Sequence, residues 1–303
     1  MISTSLRYFL EVARTGSLSE ASARLHVTVS AISRQIAKLE EHFGTPLFDR
    51  HPRGMVLTPP GELLADYARR SALDAERVAA EVREGLGLRK APVRVAASDG
   101  LARAATVALR AFLAERPDTP VELTVAPQET VLKQLRDAAI DLGLVFSLLP
   151  ESDLRIEKSW TAHTCAFVRR GHPLAGRGSV TMADLRAVKL ALPSHNTIAR
   201  IVELLHVEER AEAAGIFTTN SFTVLCDYVR AEGAVGVASD IAVRSLEEDG
   251  GDGPFVVLPF AQPDLHKRTV QLYAPTERGL TSSALLVRDA IVQAVDPLVA
   301  ETQ

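Results

Sequence analysis

Apolar residues recur at helical spacing near the start of the chain. Leu6, Phe9, Leu10 and Ala13 fall at positions i, i+3, i+4 and i+7, the spacing of one buried helix face. Gly16 follows this stripe and suits the left-handed residue that often ends a helix. The pattern therefore predicts a first amphipathic helix that ends just before Gly16.

Signals for a second helix follow directly. Ser17 is predicted to cap it, and Glu20, three residues later, is predicted to complete a capping box. Ala21 and Leu25 would form its inward face, and His26 would lie in the turn that follows. A short helix and a tight turn are therefore expected.

A third helix is predicted after this turn, with Thr28 as its N-cap. Gly44 and Pro46 would end it. Its predicted buried stripe consists of Ile32, Ile36, Leu39 and Phe43. Two short helices around a tight turn, after a first helix, are typical of a helix-turn-helix.

The polar face of the third helix carries small and basic side chains. In a helix-turn-helix the N-terminal part of this helix enters the major groove of DNA. Arg34 and Lys38 are expected mostly to neutralise phosphates, while Ser30 and Ser33 could reach bases or phosphates. The alternative is a three-helix bundle that binds another partner.

Basic residues also lie just after the third helix. Pro52 and Gly54 shape a turn around Arg50 and Arg53, where cations would add salt-sensitive, largely sequence-independent affinity for DNA. A solvated surface loop is the alternative. Double-stranded DNA is the expected partner, and the candidate DNA-binding residues are Thr28, Val29, Ser30, Ser33, Arg34, Gln35, Lys38, Arg50 and Arg53.

One long helix is predicted from residue 58 to about residue 89, with Thr58 as its cap and Pro59 in its first turn. A heptad-like apolar stripe runs along it, formed by Leu64, Ala68, Ser71, Ala75, Val78 and Val82. We expect this stripe to pair with a second subunit, which predicts a homodimer or homotetramer. The alternative is packing on the C-terminal part of the same chain.

Strand and helix patterns alternate from Val93 onward. Strands are predicted at 93–97, 121–125, 141–146, 164–168, 189–192, 216–218, 235–238, 255–258 and 269–273. Helices are predicted at 101–115, 130–139 and 282–295. This alternation predicts an α/β fold with a largely parallel sheet covered by helices.

Composition supports an ordinary globular protein of two or three compact units, with 303 residues, 47% hydrophobic and 24% charged. The net charge of −4 is unevenly distributed. Residues 1–58 contain seven Lys and Arg against five Asp and Glu, which gives +2 and leaves −6 for the remainder. Because residues 1–58 are basic and the remainder is acidic, DNA contact is expected only at the N-terminal end.

Other chemistries find little support. Cys165 and Cys226 lie far apart in sequence, in apolar surroundings typical of inert thiols. No signal-peptide pattern and no membrane-length apolar run occurs, so a cytoplasmic protein is expected. Ser194 and His195 lack the nucleophile-elbow motif of a hydrolase, and neither a metal site nor a cofactor is predicted.

The N-terminal motifs resemble those of the LysR-type transcriptional regulators. The matching segments, in family order, are Leu6 with Phe9, Gly16-Ser17, the Ala-containing second helix, Ser33 to Ile36, Leu39-Glu40, Leu47 to Arg50, and Leu57 to Gly61. The resemblance implies a winged helix-turn-helix, with a short hairpin as the wing. Family members often carry Gln-Pro where this chain has Val29 and Ser30, so the operator sequence is not carried over.

The C-terminal part also resembles this family, whose effector domain has the periplasmic-binding-protein fold. The matching marks are Asp141 to Leu144, Arg170 to Ala175, and Glu232 to Val237. The resemblance implies a DNA-binding domain at 1–58, a linker and dimerisation helix with a hinge at 59–90, and an effector domain at 91–303. Subdomain I would comprise about 91–162 and 267–303, and subdomain II about 163–266, with crossover strands near 161–164 and 266–268.

A small-molecule effector is expected in the cleft between these subdomains. Ligands of open α/β sheets bind beyond the carboxyl ends of strands, often at helix N-termini. The candidates follow predicted strands, and each could be only a helix cap: Ser98, Asp99, Gly100, Gln128, Ser147, Ser194, His195, Asn220 and Ser221. Facing hydroxyls and amides favour a carboxylate or an amino acid.

The sequence thus predicts a transcription regulator, not an enzyme, whose DNA binding a small effector controls. RNA polymerase is a further candidate partner, and no membrane association is expected. One alternative is a regulator that needs no ligand or that responds to thiol oxidation at its cysteines. A second alternative is a solute-binding or enzymatic module.

Overall fold

The computed structural model describes residues 3–51, 54–85, 91–147, 149–181, 183–185, 188–194, 215–247, 253–261, 267–276 and 279–300. The chain divides into two compact units. One consists of Met1–Ala91 with Asp137–Ala139, and the other of Pro92–Arg136 with Ile140–Gln303. Each unit is described by itself below.

Four helices and a two-stranded hairpin form the described part of the N-terminal unit. The elements are α1 (Thr4–Thr15), α2 (Leu18–Leu25), α3 (Val29–Phe43), β1 (Phe48–His51), β2 (Gly54–Leu57) and α4 (Pro59–Gly85). The predicted order of helices and wing is confirmed. The described part of the long helix ends at Gly85, and the rest of the predicted helix, to about residue 89, lies outside the described residues.

Side-chain caps start the second and third helices where the sequence predicts them. The Ser17 hydroxyl accepts a hydrogen bond from Glu20 N, and the Thr28 hydroxyl accepts one from Ala31 N. The capping box is only half formed, because Ser17 N donates to the Thr15 hydroxyl and Glu20 pairs instead with Arg24.

The core of this unit joins the wing to the helices. Phe9 and Phe48 pack with ring centroids 5.1 Å apart, above the buried side chains of Ile32 and Ile36. Met55 N donates to the Gly16 carbonyl at 2.8 Å and fixes the second wing strand against the end of α1. Phe43 is 49% exposed, so its predicted burial is wrong, because α3 extends past the core at its last turn.

The first turn of α4 lies directly on the backbone before the wing. The Thr58 hydroxyl accepts from Gly61 N at 3.1 Å, as expected of a cap. A Cβ on Gly61 would lie 2.0 Å from the Leu47 carbonyl oxygen, so only glycine permits this approach. Leu64 and Ala68, which the sequence placed in an intersubunit seam, are buried within the chain itself.

The C-terminal unit alternates strands and helices as predicted. Its described strands are β3 (Val93–Ala97), β4 (Val121–Val125), β5 (Leu142–Ser147), β6 (Leu154–Arg169), β7 (Leu190–Pro193), β8 (Ile216–Thr219), β9 (Val235–Ser239), β10 (Phe255–Pro259) and β11 (Lys267–Pro275). Its described helices are α5 (Ala102–Glu115), α6 (Gln128–Arg136), α7 (Phe222–Glu232), α8 (Asp240–Arg244) and α9 (Ser282–Ala300), with a 3-10 turn at Asp99–Leu101 before α5.

Nine described strands form one mixed sheet in the order β4-β3-β5-β11-β6-β9-β7-β8, with β10 also paired to β6. The pairs β3–β4, β3–β5, β7–β8 and β7–β9 are parallel. The pairs of β11 with β5 and β6, and of β6 with β9 and β10, are antiparallel. The predicted largely parallel sheet is therefore correct only in the two flanks, since β6 and β11 run between them in opposite directions.

Two groups of apolar clusters lie along this sheet. One group is built on β3, β5, β11, α5 and α9, and the other on β7, β9, β10 and α7. The 16-residue strand β6 contributes Trp160 and Ala162 to the first and Ala166 and Val168 to the second. A Cβ on Gly236 would lie 2.3 Å from the Phe167 ring, which explains the glycine in this strand.

Candidate nucleic-acid interface and ligand site

The first half of α3 presents a small, polar and basic face. Thr28, Val29, Ser30, Arg34 and Lys38 are exposed in the N-terminal unit, as the sequence predicts. The turn before α3 is held by two hydrogen bonds between Ser22 and Val27, at 2.5 and 3.2 Å, and by His26 in the left-handed conformation. This hydrogen-bonded turn therefore fixes the direction of α3 relative to α2.

Arg34 and Lys38 supply free positive charge on this face. Neither side chain, nor that of Arg50 in the wing, forms an ion pair with any residue that the structure describes. Arg34 Nε makes only a long local contact of 3.5 Å with the Ser30 carbonyl. Unpaired guanidinium and ammonium groups of this kind suit phosphate oxygens.

Two candidate residues on α3 are less accessible. Ser33 and Gln35 are half-buried, and the Gln35 amide oxygen accepts a hydrogen bond from the Ser5 hydroxyl at 2.6 Å. Gln35 therefore helps to attach α3 to α1. In the wing Arg50 is exposed on β1, and the predicted contact Arg53 lies outside the described residues.

The predicted ligand residues of the C-terminal unit gather at the carboxyl ends of parallel strands. Ser98 N, just after β3, donates to the carbonyl of Leu144 in the middle of β5 at 3.0 Å, which joins the end of β3 to β5. Ser194 N donates to the Thr219 carbonyl at 2.8 Å and joins the ends of β7 and β8. Each half of the sheet thus brings its strand ends together, as a ligand site in an α/β fold requires.

Asp99 connects the two halves. Its carboxylate accepts a hydrogen bond from Phe222 N, in the first turn of α7 and next to Ser221. The carboxylate therefore lies at the positive end of that helix, where an anion is favoured. The sequence left open that Asp99 only caps its own helix, but the structure shows that its carboxylate accepts from the first turn of a helix in the opposite half.

The remaining candidates occupy varied surroundings. Gln128 begins α6 and is half-buried, while Asn220 is exposed in front of α7. Ser147 is buried, and its hydroxyl donates to the Leu149 carbonyl, which limits it to a structural contact in this arrangement. His195 lies outside the described residues.

The sequence motifs did not point to two buried polar side chains on β6 and β11, the strands between the two halves of the sheet. Arg268 on β11 is 6% exposed, and its Nε has no hydrogen-bond partner within the described part of the chain. The Thr164 hydroxyl on β6 is likewise buried and without a described partner. The sequence does contain a signal, because Arg268 interrupts an alternation of apolar residues that continues with Val270 and Leu272.

The two thiols are not exposed for chemistry. Cys165 and Cys226 are both free and buried. Burial raises the pKa of the Cys165 thiol strongly and that of Cys226 to about 12. Little thiolate is available near neutral pH, and reactivity follows the thiolate.

Metal-binding and membrane-spanning features are not found among the residues that the structure describes. No group of three or more His, Cys, Asp or Glu side chains there could hold a metal ion. The buried carboxylate of Asp240 instead accepts from His163 N at 2.9 Å and from Ile241 N at 2.8 Å. No helix within the described ranges is long and apolar enough to cross a membrane.

Two family models match the chain. One, described as "LysR substrate binding domain", covers residues 87–296, and the other, "Bacterial regulatory helix-turn-helix protein, lysR family", covers residues 3–62. Among similar proteins, the transcriptional regulator PcaQ of Agrobacterium fabrum is 26% identical over 299 residues, which cover 96% of this chain and 95% of PcaQ. The dual regulator GltC of Bacillus subtilis is 28% identical over 290 residues, 95% of each protein.

Solved structures share the fold over nearly the whole length. CbnR in complex with its target DNA matches with a TM-score of 0.60 and 22% identity, over 98% of this chain and 100% of CbnR. A full-length OxyR variant from Pseudomonas aeruginosa matches with a TM-score of 0.65 and 20% identity, over 98% of this chain and 97% of OxyR.

Proposed function

Because this chain belongs to the LysR family of DNA-binding transcriptional regulators, we propose that α3 and the wing bind its operator and that a small effector controls this binding. The exposed, unpaired basic face of α3 is the observation that carries the DNA-binding assignment. Thr28, Val29, Ser30 and Ser33 would lie nearest the major groove, with Arg34 and Lys38 on phosphates.

The effector is proposed to lie in the C-terminal unit, where Ser98, Asp99 and Gly100 meet Asn220 and Ser221. The hydrogen bond between Asp99 and Phe222 N supports this position, because it brings the strand ends of both halves to one place. A ligand that enters there would change the contact between the halves. A difference in effector affinity between two such arrangements is what could shift DNA binding.

Self-association is proposed through α4. Leu63, Tyr67, Val78 and Val82 are exposed and recur at spacings of 4, 11 and 4, within about 100° of the helix circumference. This stripe keeps Val78 and Val82 of the predicted one, while Leu64 and Ala68 are buried by the chain itself and Leu63 and Tyr67 take their place. A second copy is the proposed occupant, which gives a homodimer or homotetramer with paired DNA-binding units.

The protein is further proposed to act in the cytoplasm, without catalysis, and with RNA polymerase as a candidate partner at promoters. A thiol-redox regulator is less well supported, because both cysteines are buried and their pKa values are raised. A solute-binding or enzymatic role is also less well supported, since the matched N-terminal family model is that of a regulatory helix-turn-helix.

The DNA-binding proposal is tested with Arg34→Ala. Removal of a phosphate contact should weaken binding to a duplex selected by the wild type from a random library, and should lower the slope of log affinity against log salt by about 1. Arg110→Ala is the matched control, since Arg110 is an exposed helical arginine of the other unit. Equal affinity and equal salt dependence for Arg34→Ala and the control would contradict the proposed interface.

A further inference from the structure

Arg268 is a buried cation for which no residue that the structure describes supplies a counterion. Its side chain is 6% exposed, its Nε has no hydrogen-bond partner, and no ion pair is found for it within the described residues. Its guanidinium packs over the Phe146 ring, with the guanidinium carbon 4.7 Å from the ring centroid. An uncompensated buried charge is strongly unfavourable, and burial lowers the pKa of Arg268 to about 10.

The strand register places Arg268 at the junction of the two halves. Arg268 pairs with Ala162 of β6, and the next residue of β11, Thr269, pairs with Ser147, the last residue of β5. Arg268 therefore lies just beyond the carboxyl end of β5. Ligands of α/β sheets bind at such strand ends.

Thr164 lies on the same face of the sheet. It is two residues beyond Ala162 on β6, and side chains two residues apart point to one side of a strand. Its hydroxyl is 3% exposed and finds no hydrogen-bond partner among the described residues. Arg268 Nε and the Thr164 hydroxyl, on adjacent strands, are thus both buried without a hydrogen-bond partner in the part of the chain that the structure describes.

The surroundings of Arg268 connect it with the predicted ligand residues. A Cβ on Gly100 would lie 3.2 Å from the Phe146 ring and 3.7 Å from the Cβ of Ala242. The Phe146 ring that covers Arg268 therefore contacts the turn that contains Ser98, Asp99 and Gly100.

No described acidic side chain neutralises this position. Asp240, on the same helix as Ala242, already accepts from His163 N, Ile241 N and the Ser239 hydroxyl. The carboxylate of Asp99 bonds Phe222 N. The charge of Arg268 therefore remains available to an external anion.

We propose that Arg268 and Thr164 form the receptor for the carboxylate of a small organic acid, which is the effector. This proposal rests on the proposed function. A guanidinium presents a planar fork that matches a carboxylate with two parallel hydrogen bonds, and the Thr164 hydroxyl can donate a third. The apolar Phe146 ring beside the fork suits an acid with a flat or apolar body.

The position of this receptor also indicates how binding is transmitted. β6 and β11 are the strands that run between the two groups of apolar clusters, and Arg268 and Thr164 lie on them. Because the two strands are themselves paired, a bound carboxylate would act instead on the elements packed over this face, the turn at Gly100 and the helix α8. The predicted helix-start residues would then hold the body of the ligand.

The test compares full-length wild type with Arg268→Met and Thr164→Val. Thermal unfolding and calorimetric titration use benzoate, succinate and L-glutamate, with benzamide as the neutral analogue of benzoate and inorganic phosphate as a simple anion. At least one carboxylate should stabilise the wild type more than benzamide and phosphate do. Its affinity should fall about 10- to 100-fold in Arg268→Met, and less in Thr164→Val.

A readout without ligand accompanies this titration. Because Arg268→Met removes an uncompensated charge and keeps an apolar stem, its Tm in ligand-free buffer should equal or exceed that of the wild type. A lower Tm, together with an unchanged response to carboxylates, would show that Arg268 is only a packing residue. Stabilisation by phosphate alone, or by no carboxylate of the set, would overturn the proposal.

The same variants separate this inference from the proposed function. DNA binding is measured separately on the wild type, and Arg110→Ala, an exposed position outside the proposed receptor, should bind the selected duplex as the wild type does. If the wild type itself fails to select any duplex, the regulator assignment fails while the carboxylate result stands. If DNA binding is intact and Arg268→Met binds carboxylates as the wild type does, only the receptor assignment fails.

Discussion

At the scale of single residues, burial decides what each polar or reactive group can do. The carboxylate of Asp240 is buried but fully engaged by backbone and hydroxyl donors, so it stabilises the start of α8. Arg268 is similarly buried, but no described residue pairs with its charge, which is why we propose it as a carboxylate receptor. Cys226 is buried in an apolar cluster, and its thiol is held in the neutral form.

The raised pKa of the Cys226 thiol predicts how the free energy of unfolding depends on pH. Burial raises its pKa from the ordinary 9.0 to about 12, so the neutral thiol is favoured in the folded state. Its contribution to stability is complete below about pH 9 and decreases as pH rises toward 12, by about 1.4 kcal/mol per pH unit.

Cys226→Ala should therefore lose stability at pH 7, because packing is lost, and the deficit relative to wild type should shrink above pH 9. Urea unfolding of both proteins at pH 7 and pH 10 measures the difference, with Cys165 present in each as an internal constant. A deficit that is the same at both pH values would show that the thiol titrates alike in the folded and unfolded chains.

At the scale of elements, close backbone approaches and caps set how helices and strands meet. The Thr58 cap and the missing side chain of Gly61 let α4 start against the Leu47 carbonyl. The Asp99 carboxylate similarly joins the turn before α5 to the start of α7. These contacts, more than helix propensity, position the two proposed sites.

Gly61→Ala tests the approach of α4 to the wing. Alanine in an open helical position is more favourable than glycine by about 1 kcal/mol. Here the new Cβ would lie 2.0 Å from a carbonyl oxygen. Gly61→Ala should therefore lower the free energy of unfolding by about 1–3 kcal/mol instead of raising it.

The measurement is the free energy of unfolding of the full chain from urea titration. Glu62→Ala, at the exposed neighbouring position, should change it by no more than about 0.5 kcal/mol. Stabilisation by Gly61→Ala would mean that α4 is not pressed against the Leu47 carbonyl.

At the scale of the whole molecule, exposed apolar surface on α4 indicates assembly. Val78 and Val82 are 45% and 59% exposed on a helix whose first turns are buried by the N-terminal unit. A regulator with one DNA-binding unit gains affinity and specificity when a second copy places another unit on the same duplex. The remaining α4 stripe offers the apolar surface for such pairing.

Val82→Asp should therefore weaken self-association by at least 10-fold, which is about 1.4 kcal/mol, since the interface would have to bury a charge. Sedimentation equilibrium of the full chain measures the dissociation constant. Val56→Asp is the matched control, because Val56 is a valine of the wing that is 57% exposed. Equal dissociation constants for both variants would exclude the α4 stripe as the interface.

Local patterns in the sequence determined the N-terminal unit and the element order. The helix spacings, the caps Ser17 and Thr28, and the alternation of strands and helices after Val93 all depend on contacts between residues close in sequence. The family motifs identified the fold class in a different way, because residues such as Gly61 and Gly236 mark close approaches to residues farther away along the chain. The exposed α3 face could likewise be predicted from one helix period.

Only the tertiary structure decided the features that depend on distant partners. Phe43 satisfies the helix period but is exposed, because the core ends before it. The antiparallel course of β6 and β11 depends on which strands become neighbours, a choice that single-strand patterns do not contain. The carboxylate of Asp99 accepts from a backbone amide 123 residues away, whereas Arg268 Nε is buried with no hydrogen-bond partner in the described ranges. Both features depend on how distant segments come together in the folded chain.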